Sequence, residues 1–136
     1  MFSVRRRFTC WLVLAALFAP AWSATAGESG FPFERDLMLD TAPMRGSKRV
    51  PMLQIEENGA VSIDLWCASV RAQATIGDGT ISIVADTPQP VQCTPERQSG
   101  DDNLLAALSQ VTNWKRRGDV IELLGATTLR FRLMTN

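Results

Sequence analysis

The feature that most constrains this chain is a two-residue period interrupted by short glycine turns. Asn58-Gly59 is the sharpest instance. A type I′ hairpin turn needs positive φ at both central residues, and Asn-Gly adopts that geometry readily. Before it, Val50 to Glu56 alternates, with Leu53 and Ile55 on one face. After it, Val61, Ile63 and Leu65 face one way while Ser62, Asp64 and Trp66 face the other. The theme repeats: Val70, Ala72, Ala74 and Ile76 share a face, Gly77-Asp78-Gly79 turns the chain, and Ile81-Ser82-Ile83 returns it. Successive strands joined by turns this tight pair antiparallel.

The flanking segments complete the expectation. Arg35 to Asp40 is a short strand, and Thr41 to Arg49, holding Pro43 and Gly46, is a polar connection. Pro88 and Pro90 exclude a central strand, so residues 86–100 are expected as loop. One helix follows, capped by Ser99 or Asp101, with Asp101 and Asp102 at the positive end of its dipole. Its apolar stripe is Leu104, Leu108 and Val111 at i, i+4 and i+7, broadened by Leu105, and it ends near Asn113. Trp114-Lys115-Arg116-Arg117 then leads into a turn at Gly118-Asp119. Val120–Leu124 and Leu129–Leu133 form strands about a turn at Gly125-Ala126. The class is α+β: a strongly curved antiparallel sheet of seven or eight strands, an open or cracked barrel, with one packed helix.

Residues 1–26 read as a cleaved export signal. Arg5, Arg6 and Arg7 precede the apolar run Cys10–Ala19, and Ala24-Thr25-Ala26 offers a small-x-small cleavage site. Ten apolar residues at ~1.5 Å each cover about half a bilayer core, so no stable transmembrane span is expected. Residues 27–34 read as a flexible lead-in and 35–136 as a single domain. The location expected is periplasmic or secreted, and the protein is expected to be a monomer.

The chain has no histidine, which excludes a Ser-His-Asp triad and a histidine-bearing zinc site. Cleavage would remove Cys10 and leave Cys67 and Cys93 in an oxidising compartment, where one disulfide is the natural reading. Closing about 27 residues would stabilise the fold by roughly 3 kcal/mol. Losing three arginines leaves 11 basic against 14 acidic side chains, a balance that argues against nucleic acid. Glu56-Glu57, Asp36, Asp40 and Asp64 are scattered acids with no paired spacing for acid–base chemistry. Arg117-Gly118-Asp119 reads as a turn, and Gly77-Asp78-Gly79 lacks the spacing of a calcium loop. No catalysis, metal or cofactor is expected.

The C-terminal two-thirds resembles a known family. Cys67, a hairpin, Cys93, the helical Leu104-Leu105-Ala106-Ala107-Leu108, then Val111-x-x-Trp114-x-x-x-Gly118-Asp119-x-Ile121-x-Leu123 and Leu129-x-Phe131 are similar to the META domain of HslJ-like bacterial envelope proteins. Members are small exported or membrane-tethered proteins without known catalysis, linked loosely to heat shock, motility or drug tolerance, and their cysteine pair is thought to form a disulfide. Where they commonly carry asparagine, glycine and an aromatic after the first cysteine, this chain has Ala68, Ala72 and Ala74. The fold also resembles the cracked barrel of secretion pilotins, which hold lipid in an apolar groove. The resemblance therefore implies a disulfide-braced structural or interaction module. It also implies an alternative, a hydrophobic-ligand (lipid or acyl) carrier whose groove would involve Ala72, Ala74, Trp66 and Trp114.

Overall fold

The computed structural model describes residues 30–135. The export-signal reading of residues 1–26 lies outside the described residues, as do the first positions of the lead-in. Nine elements follow in order: β1 (Leu37–Leu39), β2 (Met52–Ile55), β3 (Ala60–Asp64), β4 (Ser69–Ile76), β5 (Ile81–Ala85), α1 (Pro95–Ser109), β6 (Asn113–Arg117), β7 (Val120–Leu124) and β8 (Leu129–Leu133). The strands form one antiparallel sheet in the order β5-β4-β3-β2-β1-β8-β7-β6. The chain adopts the expected α+β class, and the curved sheet expected to have seven or eight strands has eight.

Period-two patterning sets the register. Leu53 faces Ile63, Ile63 faces Val70, and Val61 faces Ala72, so the apolar sets of β2, β3 and β4 share the inner face. A slip of one residue would turn each of these rows to solvent. Gly59 holds φ +88°, and a Cβ there would come within 2.5 Å of the Ala74 carbonyl oxygen. The Asn58-Gly59 turn therefore needs glycine for both conformation and space.

The sheet curls until its two edges, β5 and β6, almost meet. Thr80 and Asn113 form the single bridge there. The Ile81 N–H donates to the Thr112 carbonyl at 3.0 Å, and the Trp114 N–H donates to the Gly79 carbonyl at 3.1 Å. Beyond these contacts the barrel has a seam, and the chain crosses between the two seam strands through α1. Leu104 and Leu108 of the helix are buried in the core with Leu53, Ile63, Ile121, Leu123 and Phe131.

Two segments differ from expectation. The helix starts at Pro95, capped by Thr94, whose Oγ1 accepts the Arg97 N–H. Ser99 and Asp101 are thus interior helical residues rather than caps, and the loop expected over 86–100 stops at Thr94. The helix ends at Ser109 rather than near Asn113. Its first half carries no apolar period because the inward residue there is Asp101, one turn before Leu104. The second difference is that Trp114–Arg117 is not merely an approach to a turn. Residues 113–117 pair with β7 along their whole length and supply the eighth strand.

Within the lead-in, residues 30–34 are described. Phe31 is buried and stands edge-on to Trp114, ring centroids 5.2 Å apart. Pro32 is buried beside it.

Candidate functional site

The two ends of the barrel are built differently. At one end lies the turn Leu65–Ala68 between β3 and β4, tied to α1 in two ways. A disulfide joins Cys67 to Cys93, with Cα atoms 6.0 Å apart, so the bridge links the turn to the residue before the Thr94 cap. The second tie is Asp101, 1% exposed. Its Oδ1 accepts the Trp66 N–H at 2.8 Å and the Cys67 N–H at 3.3 Å. Its Oδ2 accepts the Cys67 N–H at 3.2 Å and the Ala68 N–H at 3.0 Å. Three consecutive amides thus converge on one carboxylate, which answers how a buried acid is tolerated: its lone pairs are occupied by directed donors.

Other contacts seat the same end of the helix. The Trp66 ring lies against Gly100, where a Cβ would approach Trp66 Cε3 to 3.0 Å. Arg97 Nη2 donates to the Gly46 carbonyl at 2.7 Å, drawing the β1–β2 connection onto the helix.

The four residues named for an acyl groove lie at different points along β4 and its ends. Ala72 and Ala74 are buried on the inner face of β4, opposite Ala85 and Ile83. Trp114 lies at the far end of that strand, where its Nε1 donates to the Gly77 carbonyl at 3.1 Å. Trp66 lies before the strand begins, on the helix side. Eight residues of β4 separate the two indoles, on the order of 25 Å of extended chain.

The charges on the outer sheet are largely paired among themselves. Glu122 lies 3.6 Å from Arg117 and 3.8 Å from Arg130, and Arg132 grips Asp40 through both carboxylate oxygens, at 3.1 and 3.4 Å. Asp64 accepts from Ser69 Oγ and lies 3.5 Å from Arg49. Among the described residues, no group of three or more Cys, Asp or Glu side chains is placed to hold a metal ion. Arg117-Gly118-Asp119 is the β6–β7 turn, with Gly118 at φ +60°.

At the opposite end, the run Lys115-Arg116-Arg117 is divided by the strand it occupies. Lys115 and Arg117 are exposed, whereas Arg116 follows Trp114 onto the inner side and is half-buried. Its Nε donates to the Gly118 carbonyl at 3.0 Å and its Nη1 to the Gly30 carbonyl at 3.2 Å. Arg35, two residues before β1, donates from Nη2 to the Met134 carbonyl at 3.2 Å. Both arginines line an open depression of about 390 Å³ with Phe33, Glu57 and Leu133. In the sequence neither Asp101 nor Arg116 stands out as an inward-facing charge. The alternation Trp114-x-Arg116 is the signal that places the latter inward once 113–117 is read as a strand.

Eight antiparallel strands curled to one seam, with a helix carrying the chain between the seam strands, define a cracked α+β barrel. The META domain model matches residues 33–135, and the chain belongs to that family. No curated protein matches it. A solved NMR structure is similar, with a TM-score of 0.59 at 15% identity, over 73% of this chain and 88% of that one. At that identity the likeness concerns the fold alone. No described helix is long and apolar enough to cross a membrane.

Proposed function

We propose that this META domain works outside the cytoplasm as a non-catalytic, disulfide-braced structural or interaction module. The observation that carries the reading is the apolar core on the inner face of the sheet. The inner face is a continuous core of buried apolar side chains, including the small residues Ala72 and Ala74. A carrier of an acyl chain would need an apolar cavity in that position. Export is supported by the signal-like residues 1–26 and by the cysteine pair, since such bridges persist in oxidising compartments. A role under envelope stress is what the family resemblance suggests.

Native mass spectrometry of gently purified protein tests the choice between module and carrier. A mass equal to the disulfide-bonded polypeptide supports the module, and a co-purifying lipid overturns it. Alkaline phosphatase fused after the last residue tests export, because that reporter is active only where its own disulfides form. An inactive fusion to a soluble, intact product would remove the extracytoplasmic assignment. Crosslinking and pull-down from the periplasm of the native host would then identify the partner.

A further inference from the structure

We propose that Arg35 and Arg116 form an oxyanion-binding site at the mouth of the barrel opposite the disulfide, taking the carboxylate or phosphate group of a small organic molecule. The inference goes beyond the module reading and stands without it. Strand register turns Arg116 to the inner side of β6, where its side chain is half-buried. Its described partners are the main-chain carbonyls of Gly118 and Gly30, which leave several of its five N–H donors unused. Arg35, lining the same depression, makes one bond to the Met134 carbonyl.

Arg49, Arg117, Arg130 and Arg132 each lie within 4 Å of a carboxylate. Arg35 and Arg116, like Arg45, Arg71 and Arg97, form no such ion pair with any described residue; what sets these two apart is that they line one depression. Glu57 is the one acid on the wall, and Glu34 stands beside it, its Oε1 accepting the Glu57 N–H at 3.2 Å, so the two lining arginines outnumber the single lining acid. Planar guanidinium forks match the paired oxygens of carboxylate and phosphate. Phe33 and Leu133 supply an apolar wall for the remainder of such a molecule in this open depression of about 390 Å³.

The test is an amide-shift NMR titration of the full-length protein with inorganic phosphate and, separately, with benzoate, at constant ionic strength set by chloride. Saturable shifts around Gly30, Gly118 and Leu133 are expected with at least one probe. Saturation by phosphate alone would assign a phosphoryl ligand, and by benzoate alone a carboxylate. Arg116→Gln and Arg35→Gln should each weaken that binding by about tenfold or more, the equivalent of one charge-assisted hydrogen bond. Arg130→Gln on the outer sheet should leave it unchanged. If Arg116→Gln does not fold, the exposed Arg35→Gln carries the comparison. Absence of saturation with both probes, or equal affinity in the arginine variants, overturns the proposal.

Discussion

Replacing Asp101 with alanine offers the most direct test of how the barrel's helix is held. The carboxylate receives the amides of Trp66, Cys67 and Ala68 at 2.8–3.3 Å. Alanine leaves three donors without an acceptor, and they are not equivalent. The bond to Ala68 is buried, so its N–H would lose its partner without gaining water, at a cost of about 1–3 kcal/mol. Trp66 and Cys67 are only part-buried, so each amide can rehydrate, and each loss costs about 1 kcal/mol. Alanine regains up to about 0.7 kcal/mol of helix propensity, because aspartate is a poor interior helical residue. The net expectation is a loss of about 2–4 kcal/mol, a large share of the ~5–15 kcal/mol that stabilises an ordinary domain.

The assay is urea unfolding of the oxidised protein, followed by tryptophan fluorescence and circular dichroism, with the slope of the transition checked for constancy. Asp101→Asn should fall between the two, since its one carbonyl oxygen cannot serve both Trp66 and Ala68, and its amide would confront an N–H. A loss below about 1 kcal/mol for alanine, with unchanged slope, would refute the view that this carboxylate holds the β3–β4 turn to the helix.

Further outcomes follow from the same geometry. Cys93→Ser should lower stability by about 2–4 kcal/mol in urea unfolding. Combined with Asp101→Ala, it should depart from additivity by more than about 0.5 kcal/mol, because both ties hold the Leu65–Ala68 turn. Gly100→Ala should destabilise despite the ~1 kcal/mol that alanine gains in a helix, because its Cβ meets the Met44 methyl and, at 3.0 Å, the Trp66 ring; a rise in midpoint would show that both side chains yield freely. Phe31→Ala should cost about 3 kcal/mol by the same measurement, since that ring is buried against Trp114; an unchanged midpoint would mean that residues 30–33 lie outside the folded unit.

The legible and illegible parts of this molecule divide along a physical line. Strands β2 to β5 and β7 to β8 could be read because each alternates and is bounded by a turn with its own residue chemistry, Asn58-Gly59 foremost. The first half of α1 could not, because Arg97, Gly100 and Asp101 meet the rest of the protein through hydrogen bonds and a bare backbone face rather than through an apolar stripe. The local signal present was Thr94-Pro95, a capping hydroxyl followed by the residue best suited to the first helical position. Strand β6 was obscured because its inner positions hold Trp114 and Arg116 rather than two aliphatic residues. Of the candidate site, the cysteine pairing was legible from the count once Cys10 is assigned to the export signal. The mouth with Arg35 and Arg116 was not, because it is assembled from both ends of the domain.

The placement of the ties follows from the topology. A barrel closed all round would need no brace, since every strand would be held by two neighbours. Here closure rests on Thr80 and Asn113 and the few hydrogen bonds around them, while the chain leaves β5 and reaches β6 only after 27 intervening residues. Strand pairing therefore cannot position that crossover. Leu104 and Leu108 anchor its second half in the core, but its first half exposes too little apolar surface to bind by burial alone. The disulfide and the Asp101 carboxylate both act on that first half, and both reach the same turn of the opposite sheet edge region, β3 to β4. A covalent bond limits how far the crossover can stray in any state, whereas the carboxylate contributes only when the helix is formed and docked. Reduction should accordingly loosen residues 86–94 first and leave the docked helix in place, so that amide exchange accelerates in that loop before it does in Leu104–Leu108. Simultaneous acceleration in both segments would mean that the bridge, and not Asp101, holds the helix against the barrel.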